Sequence, residues 1–150
     1  MADSALSSAR RTLATEIDGL QALSAALGKG FEQAVNVLSE ISGRVIVSGM
    51  GKSGHIGAKI VATMASTGTP AQFVHPGEAS HGDLGMITIS DAILALSWSG
   101  ETAELTNLID YAKRFSIPLV ALTSDADSLL GRQADICITL PKSAEACPNG

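Results

Sequence analysis

The stretch Val45-Ile46-Val47-Ser48-Gly49-Met50-Gly51-Lys52-Ser53-Gly54 decides the fold. Val45–Ser48 is a short, nearly continuous apolar run, the pattern of a strand buried on both faces. The glycine-rich turn after it opens a helix over about 54–67, with Ile56, Ile60, Val61 and Met64 on one side. A strand that runs through glycines into a helix is the first half of a βαβ unit.

Outward from this stretch the alternation repeats. Further runs fall at Ala71–Val74, Ala92–Ser97, Leu119–Thr123 and Ile136–Leu140. Helices are predicted between them at about 101–115, with Leu105, Leu108, Ile109, Ala112 and Phe115 apolar, and at about 126–133. Five apolar strands with intervening helices predict an α/β fold with a parallel sheet covered on both faces, in a flavodoxin-like, doubly wound order. Upstream, Leu6, Leu13, Ile17, Leu20, Leu23 and Leu27 follow helical spacing over 3–27, and Gly28 and Gly30 end that helix. A second helix carries Phe31, Val35, Leu38 and Ile41. Residues 1–43 therefore read as an N-terminal helical hairpin and 44–150 as the α/β domain. The long apolar stripe of the hairpin needs a partner, either its own domain or a neighbouring subunit.

Bulk properties narrow the function. A chain of 150 residues with 45% hydrophobic and 17% charged residues suits one globular domain. The net charge of −5 and the lack of a Lys/Arg run argue against a nucleic-acid partner. No apolar stretch approaches the about 20 residues that span a bilayer, and the N-terminus lacks a signal-peptide pattern. The expected location is the cytoplasm, with Cys137 and Cys147 reduced. Cys137 reads as buried core, and Cys147 has no assigned role.

Three loops follow strand ends, where open parallel sheets bind ligands. In Gly49–Gly54, glycines let main-chain amides approach an anion and the helix start adds partial positive charge. Lys52 adds a full one, with Gly51 and Ser53 beside it. The string satisfies GxGxxG, but the second strand ends in Val74-His75 and lacks the acid a dinucleotide ribose requires. A P-loop is excluded because Ile46 stands where its first glycine belongs. In the second loop, Ser97-Trp98-Ser99-Gly100-Glu101-Thr102, hydroxyls and a glycine surround a predicted helix start. Helix capping by Ser99 would explain one hydroxyl and leave two over, so the loop reads as a phosphate site with Ser97, Ser99, Gly100 and Thr102 as substrate contacts. Two anion loops favour a phosphorylated small molecule over a dinucleotide.

The third loop is long, His75–Ser90, and carries His75, Glu78, His81 and Asp83 within nine residues. His81 suits a proton mover or ligand contact, and His75 a metal ligand. Glu104 suits either the helix dipole or a general base, and Glu101 competes for the same roles. Glu145, past the last strand, reads as a surface residue.

Together, GMGKSGHIG at 49–57, STGTPAQFVHPGEASHGDLG at 66–85, SWSGET at 97–102 and AEACPNG at 144–150 resemble the arabinose-5-phosphate isomerase family, built on the sugar isomerase (SIS) phosphosugar-binding domain. The resemblance runs over essentially the whole chain. It implies interconversion of D-ribulose 5-phosphate and D-arabinose 5-phosphate through an enediol, without a required cofactor, in supply of the acidic sugar Kdo for lipopolysaccharide. It implies catalytic roles for Lys52, Glu104, Glu145 and His81. Substrate contacts follow at His81, Gly68, Thr69, Pro141, Lys142, Ser143 and within 107–116, and an inhibitory zinc contact at His75. Homotetramers are expected, as are segments beyond position 150 that include a catalytic histidine and paired CBS domains. A regulatory sugar-phosphate sensor on the same domain is the alternative reading, and a sensor needs only the anchor loops.

Overall fold

The computed structural model describes residues 4–147. The predicted start of the first helix at residue 3 and the last residues of the AEACPNG motif, 148–150, lie outside the described residues. The described chain divides into two compact units, Gly28–Thr139 and the pairing of the N-terminal helix with the residues from Leu140 onward.

The larger unit is a five-stranded, all-parallel sheet. Helix α2 (Lys29–Glu40) precedes β1 (Val45–Gly49), which leads through a tight turn into α3 (Gly51–Ser66). Strand β2 (Ala71–Phe73) follows, then the short helix α4 (Pro76–Ala79) and a 3-10 turn at Asp83–Met86. Strand β3 (Ala92–Leu96) leads to a second 3-10 turn, Ala103–Leu105, and helix α5 (Thr106–Phe115). Strand β4 (Leu119–Thr123), helix α6 (Leu129–Gln133) and strand β5 (Ile136–Thr139) complete the unit. The spatial order is β2-β1-β3-β4-β5, the doubly wound order expected. Val45 pairs with Ala92 and Gly49 with Leu96, so β1 and β3 end side by side.

Strand residues alternate between two cores. Ile46, Ile93, Ala95, Leu119 and Ala121 pack with Leu105, Leu108, Ile109, Ala112 and Leu130 on the face covered by α5 and α6. Val45, Val47, Leu94, Leu96 and Val120 pack with Ala34 of α2 and Ile60, Val61 and Met64 of α3 on the other. β1 and β3 are buried throughout, which is why their sequences read as continuous apolar runs. The close approach of α3 to β1 needs Gly54, where a β-carbon would lie 2.6 Å from the Gly49 carbonyl oxygen.

Three expectations change. The predicted long helix over 101–115 begins as a 3-10 turn, and the α-helix proper starts at Thr106. The long loop His75–Ser90 is not irregular, because α4 and the Asp83–Met86 turn order it and bury Ala79 and Ile87. Cys137 is half-buried at the sheet edge, packed against the core rather than within it.

In the smaller unit, α1 (Ala5–Ala26) is capped by Ser4 and buries none of its residues. Leu6, Leu13, Ile17 and Leu20 are all more than half exposed. Residues 140–147 run against this helix, where a β-carbon on Gly19 would meet Ser143 Oγ at 3.3 Å. The sequence draws its boundary after residue 43. The compact units divide after Leu27, because α2 buries Ala34 against the sheet while α1 buries nothing.

Candidate functional site

The order β2-β1-β3 reverses the direction of winding at β1 and β3, and the crevice beyond their carboxyl ends is where such sheets bind ligands. The loops leaving these two strands are the ones whose composition points to an anion.

After β1, Met50 is the residue before α3 and supplies no capping side chain. Among the described residues, the main-chain amides of Gly51, Lys52 and Ser53 have no acceptor. A helix start of this kind presents three N–H donors and the positive end of the dipole of a 16-residue helix. Lys52 is exposed, and among the described residues its ammonium has no ion pair.

After β3, the loop Ser97–Thr102 is tied to itself and to its neighbours. Gly100 N donates to Ser97 O and to Ser97 Oγ, at 3.2 and 3.0 Å. The Trp98 carbonyl accepts from Ser124 N, Ser124 Oγ and Thr123 Oγ1, which fastens the loop to the end of β4. Ser97 Oγ and Thr102 Oγ1 are 2.7 Å apart. Ser97 is 3% exposed and has no other acceptor within reach among the described residues. Its hydroxyl therefore donates to Thr102, which leaves the Thr102 proton for a ligand. Ser99 caps no α-helix; its hydroxyl accepts from Glu101 N at 3.2 Å in a local turn. The amides of Ser99 and Thr102 have no acceptor among the described residues.

The third loop packs onto this region through α4, which lies against the Ala103–Leu105 turn and α5. Asn107 Nδ2 donates to Ser80 Oγ at 2.8 Å across that contact. Exposed Glu104 sits in the turn, so the histidine loop and Glu104 share one corner of the unit. The two histidines differ in the ring nitrogen they use. His75 Nδ1 accepts from Gly77 N at 3.2 Å and caps α4, which leaves the proton of the neutral ring on Nε2. His81 Nδ1 lies 3.0 Å from the Gly77 carbonyl, which can only accept. Nδ1 therefore carries a proton, and Nε2 of His81 has no protein partner among the described residues, which in the neutral ring leaves it an open lone pair.

The remaining predicted residues belong to other segments. Gly68 and Thr69 end α3 in a Schellman motif, Gly68 N donating to Ala65 O and Thr69 N to Met64 O. Sixteen residues at about 1.5 Å each make α3 about 24 Å long, so these two stand at the amino end of the sheet, away from Gly51 and Ser53. Pro141, Lys142, Ser143 and Glu145 belong to the smaller unit. Within 107–116, Asn107, Asp110, Tyr111 and Arg114 line an open cleft of about 460 Å³ with Ser80 and Leu84. A second cleft of about 430 Å³, lined by Ser116, Pro118 and Asp135, opens at the amino ends of β4 and β5 and faces away from the loops. Among the described residues no three His, Cys, Asp or Glu side chains group as metal ligands.

The sequence missed the part played by α6. Ser128, buried at its N-cap, accepts from Gly131 N at 3.2 Å and sits directly against Gly100. The signal was present, since a serine immediately before Leu129-Leu130 is a capping pattern.

A family model described as SIS domain matches residues 38–149. The chain is 50% identical over 141 residues to arabinose 5-phosphate isomerase KdsD of Pseudomonas aeruginosa, covering 94% of this chain and 43% of that protein. It is 47% identical over 145 residues to arabinose 5-phosphate isomerase KpsF of Escherichia coli O6:H1, covering 96% and 44% respectively. The chain thus spans less than half the length of these curated relatives. The solved structure of Escherichia coli CFT073 c3406 in complex with A5P matches with a TM-score of 0.88 at 35% identity, over 94% of this chain and 75% of that one. The family model runs from Leu38 in α2 past the last strand, well over half of the sequence, and the chain therefore belongs to the SIS domain family.

Proposed function

We propose that the protein carrying this chain is an aldose–ketose isomerase that interconverts D-ribulose 5-phosphate and D-arabinose 5-phosphate. The observation that carries this reading is the pair of loops at the β1/β3 switch point, in which the amides of Gly51, Lys52, Ser53, Ser99 and Thr102 lack acceptors among the described residues. Two relatives named arabinose 5-phosphate isomerase and a structural neighbour in complex with A5P support the substrate.

In the proposed mechanism the phosphate rests on the amides of Gly51–Ser53. Ser99, Gly100 and Thr102 close over it from β3, the Thr102 hydroxyl donating and Ser97 holding Thr102 in place. Anchoring the phosphate fixes the other end of the sugar against the catalytic groups. The proton beside the carbonyl is taken by Glu104 or His81. An enediol forms, and the proton returns to the neighbouring carbon. The open Nε2 of His81 suits it to move the proton between the two oxygens, and Lys52 favours the negative charge that develops there. The proton and the electron pair both stay within the sugar, so no redox cofactor enters the proposal. On the same reading the enzyme works in the cytoplasm as a homotetramer, a state consistent with the exposed apolar stripe of α1, and its product supplies Kdo synthesis.

The test is conversion of ribulose 5-phosphate to arabinose 5-phosphate by the protein carrying this sequence at the length of its relatives. Product should form, and Lys52→Ala and Glu104→Gln should each lower kcat by about 100-fold or more with an unchanged circular dichroism spectrum. Absence of product from the unmutated protein would refute the isomerase assignment. Full activity in both variants would refute the proposed residues.

A further inference from the structure

We propose that Glu101 is a positioning residue whose carboxylate clamps the phosphate loop to the start of α6, holding the open amides of Ser99 and Thr102 ready for the sugar phosphate. The inference rests on the phosphosugar reading of that loop and adds the device that keeps it in shape.

The first three amides of α6 all find acceptors. Leu129 N donates to Glu101 Oε1 at 2.7 Å, Leu130 N to Gly100 O at 3.0 Å and Gly131 N to Ser128 Oγ at 3.2 Å. Two of these acceptors are neighbours in the phosphate loop. Gly100 itself has φ +68° and sits against Ser128, so the loop cannot slide along α6 without losing both bonds. On the loop side, Gly100 N and Glu101 N are consumed by Ser97 and Ser99. The amides left without an acceptor among the described residues are those of Trp98, Ser99 and Thr102, and the Trp98 peptide is already fastened to β4 through its carbonyl. A loop held at Gly100 and Glu101 presents the Ser99 and Thr102 amides without further ordering when an anion arrives, and such preorganisation strengthens binding.

The same contact separates the two acids of the loop region. A carboxylate spent on the first amide of a helix is in a charge-assisted hydrogen bond and is held by it. Glu104 has no such partner among the described residues and stays available for proton transfer. Geometry thus divides the roles for which Glu101 and Glu104 compete in sequence.

Two substitutions split reach from charge. Glu101→Asp keeps the charge but is one methylene too short for Leu129 N. Glu101→Gln loses the charge but keeps an acceptor oxygen at the right reach. Binding of arabinose 5-phosphate and of inorganic phosphate is measured by calorimetry for both variants and the unmutated protein, with kcat and KM alongside. Glu101→Asp should weaken both ligands by about tenfold and raise KM to match, with kcat within about twofold. Glu101→Gln should stay within about threefold of the unmutated protein in all three quantities. Unchanged binding in Glu101→Asp would overturn the clamp. Weak binding in Glu101→Gln with normal binding in Glu101→Asp would show that charge matters and position does not. A fall in kcat at constant KM in either variant would make Glu101 catalytic instead. If the unmutated protein binds neither ligand, the phosphosugar reading fails first and takes this inference with it.

Discussion

Gly100 meets two demands that no other residue type satisfies. Its φ of +68° lies in the left-handed region, and a β-carbon there would overlap Ser128 Oγ and approach Thr123 Oγ1 to 3.0 Å. Gly100→Ala should therefore cost about 2–3 kcal/mol of folding stability, read from urea denaturation, and weaken phosphate binding with it. A cost under about 0.5 kcal/mol would mean that the loop yields easily and is not a rigid anchor. At this scale the sequence exposed residue types and hid their bonding. Ser97, Thr102, His75 and His81 are all visible in the motifs. That Ser97 gives its proton to Thr102, or that the two histidines carry theirs on opposite ring nitrogens, depends on the Gly77 main chain and the burial of Ser97. Those are products of folding. Gly68 and Thr69 are visible in the motif too, while the hydrogen bonds that make them the end of α3 are not.

The strands and long helices were legible because burial on two faces writes itself as apolar runs and 3.6-residue periodicity writes itself as spacing. The short α4 and the two 3-10 turns were not, because four residues carry no period. They are set by tertiary contacts such as Ala79 and Ile87 in the core. Asp91 is another element-level tie that the sequence did not flag. It is 2% exposed and joins the start of β3 to Arg44 before β1. Burial works against its charge and is the largest single influence. Hydrogen bonds from Thr88 N, Arg44 N and the Thr88 hydroxyl, with the Arg44 guanidinium, together outweigh it and hold the carboxyl below its ordinary value of 3.8. A folded-state pKa below the unfolded one means that the unfolded chain binds the proton more tightly. The stability this gives is present above 3.8 and is lost as pH falls through the folded-state value. Asp91→Asn should thus be less stable near neutral pH and lose stability less steeply between about pH 5 and pH 2. Parallel acid-unfolding curves for the two proteins would remove Asp91 from this role.

At the scale of the whole molecule, the topology does most of the work. Parallel strands in the order β2-β1-β3-β4-β5 bring the ends of β1 and β3 together, so two loops 48 residues apart in sequence (Gly49 and Ser97) become neighbours. This was legible because the strands and their connections were. The division into units was not. The sequence shows two amphipathic helices in succession, but only the burial of Ala34 and the exposure of Leu6, Leu13 and Leu20 assign α2 to the sheet and α1 to the smaller unit. The measurement that tests the central claim most directly is amide chemical-shift mapping of this chain with arabinose 5-phosphate and with unphosphorylated arabinose. The account predicts saturable shifts centred on Gly51–Ser53 and on Ser99 and Thr102 with the phosphate alone. Equal shifts with both sugars, or shifts that spare these two loops, would contradict it.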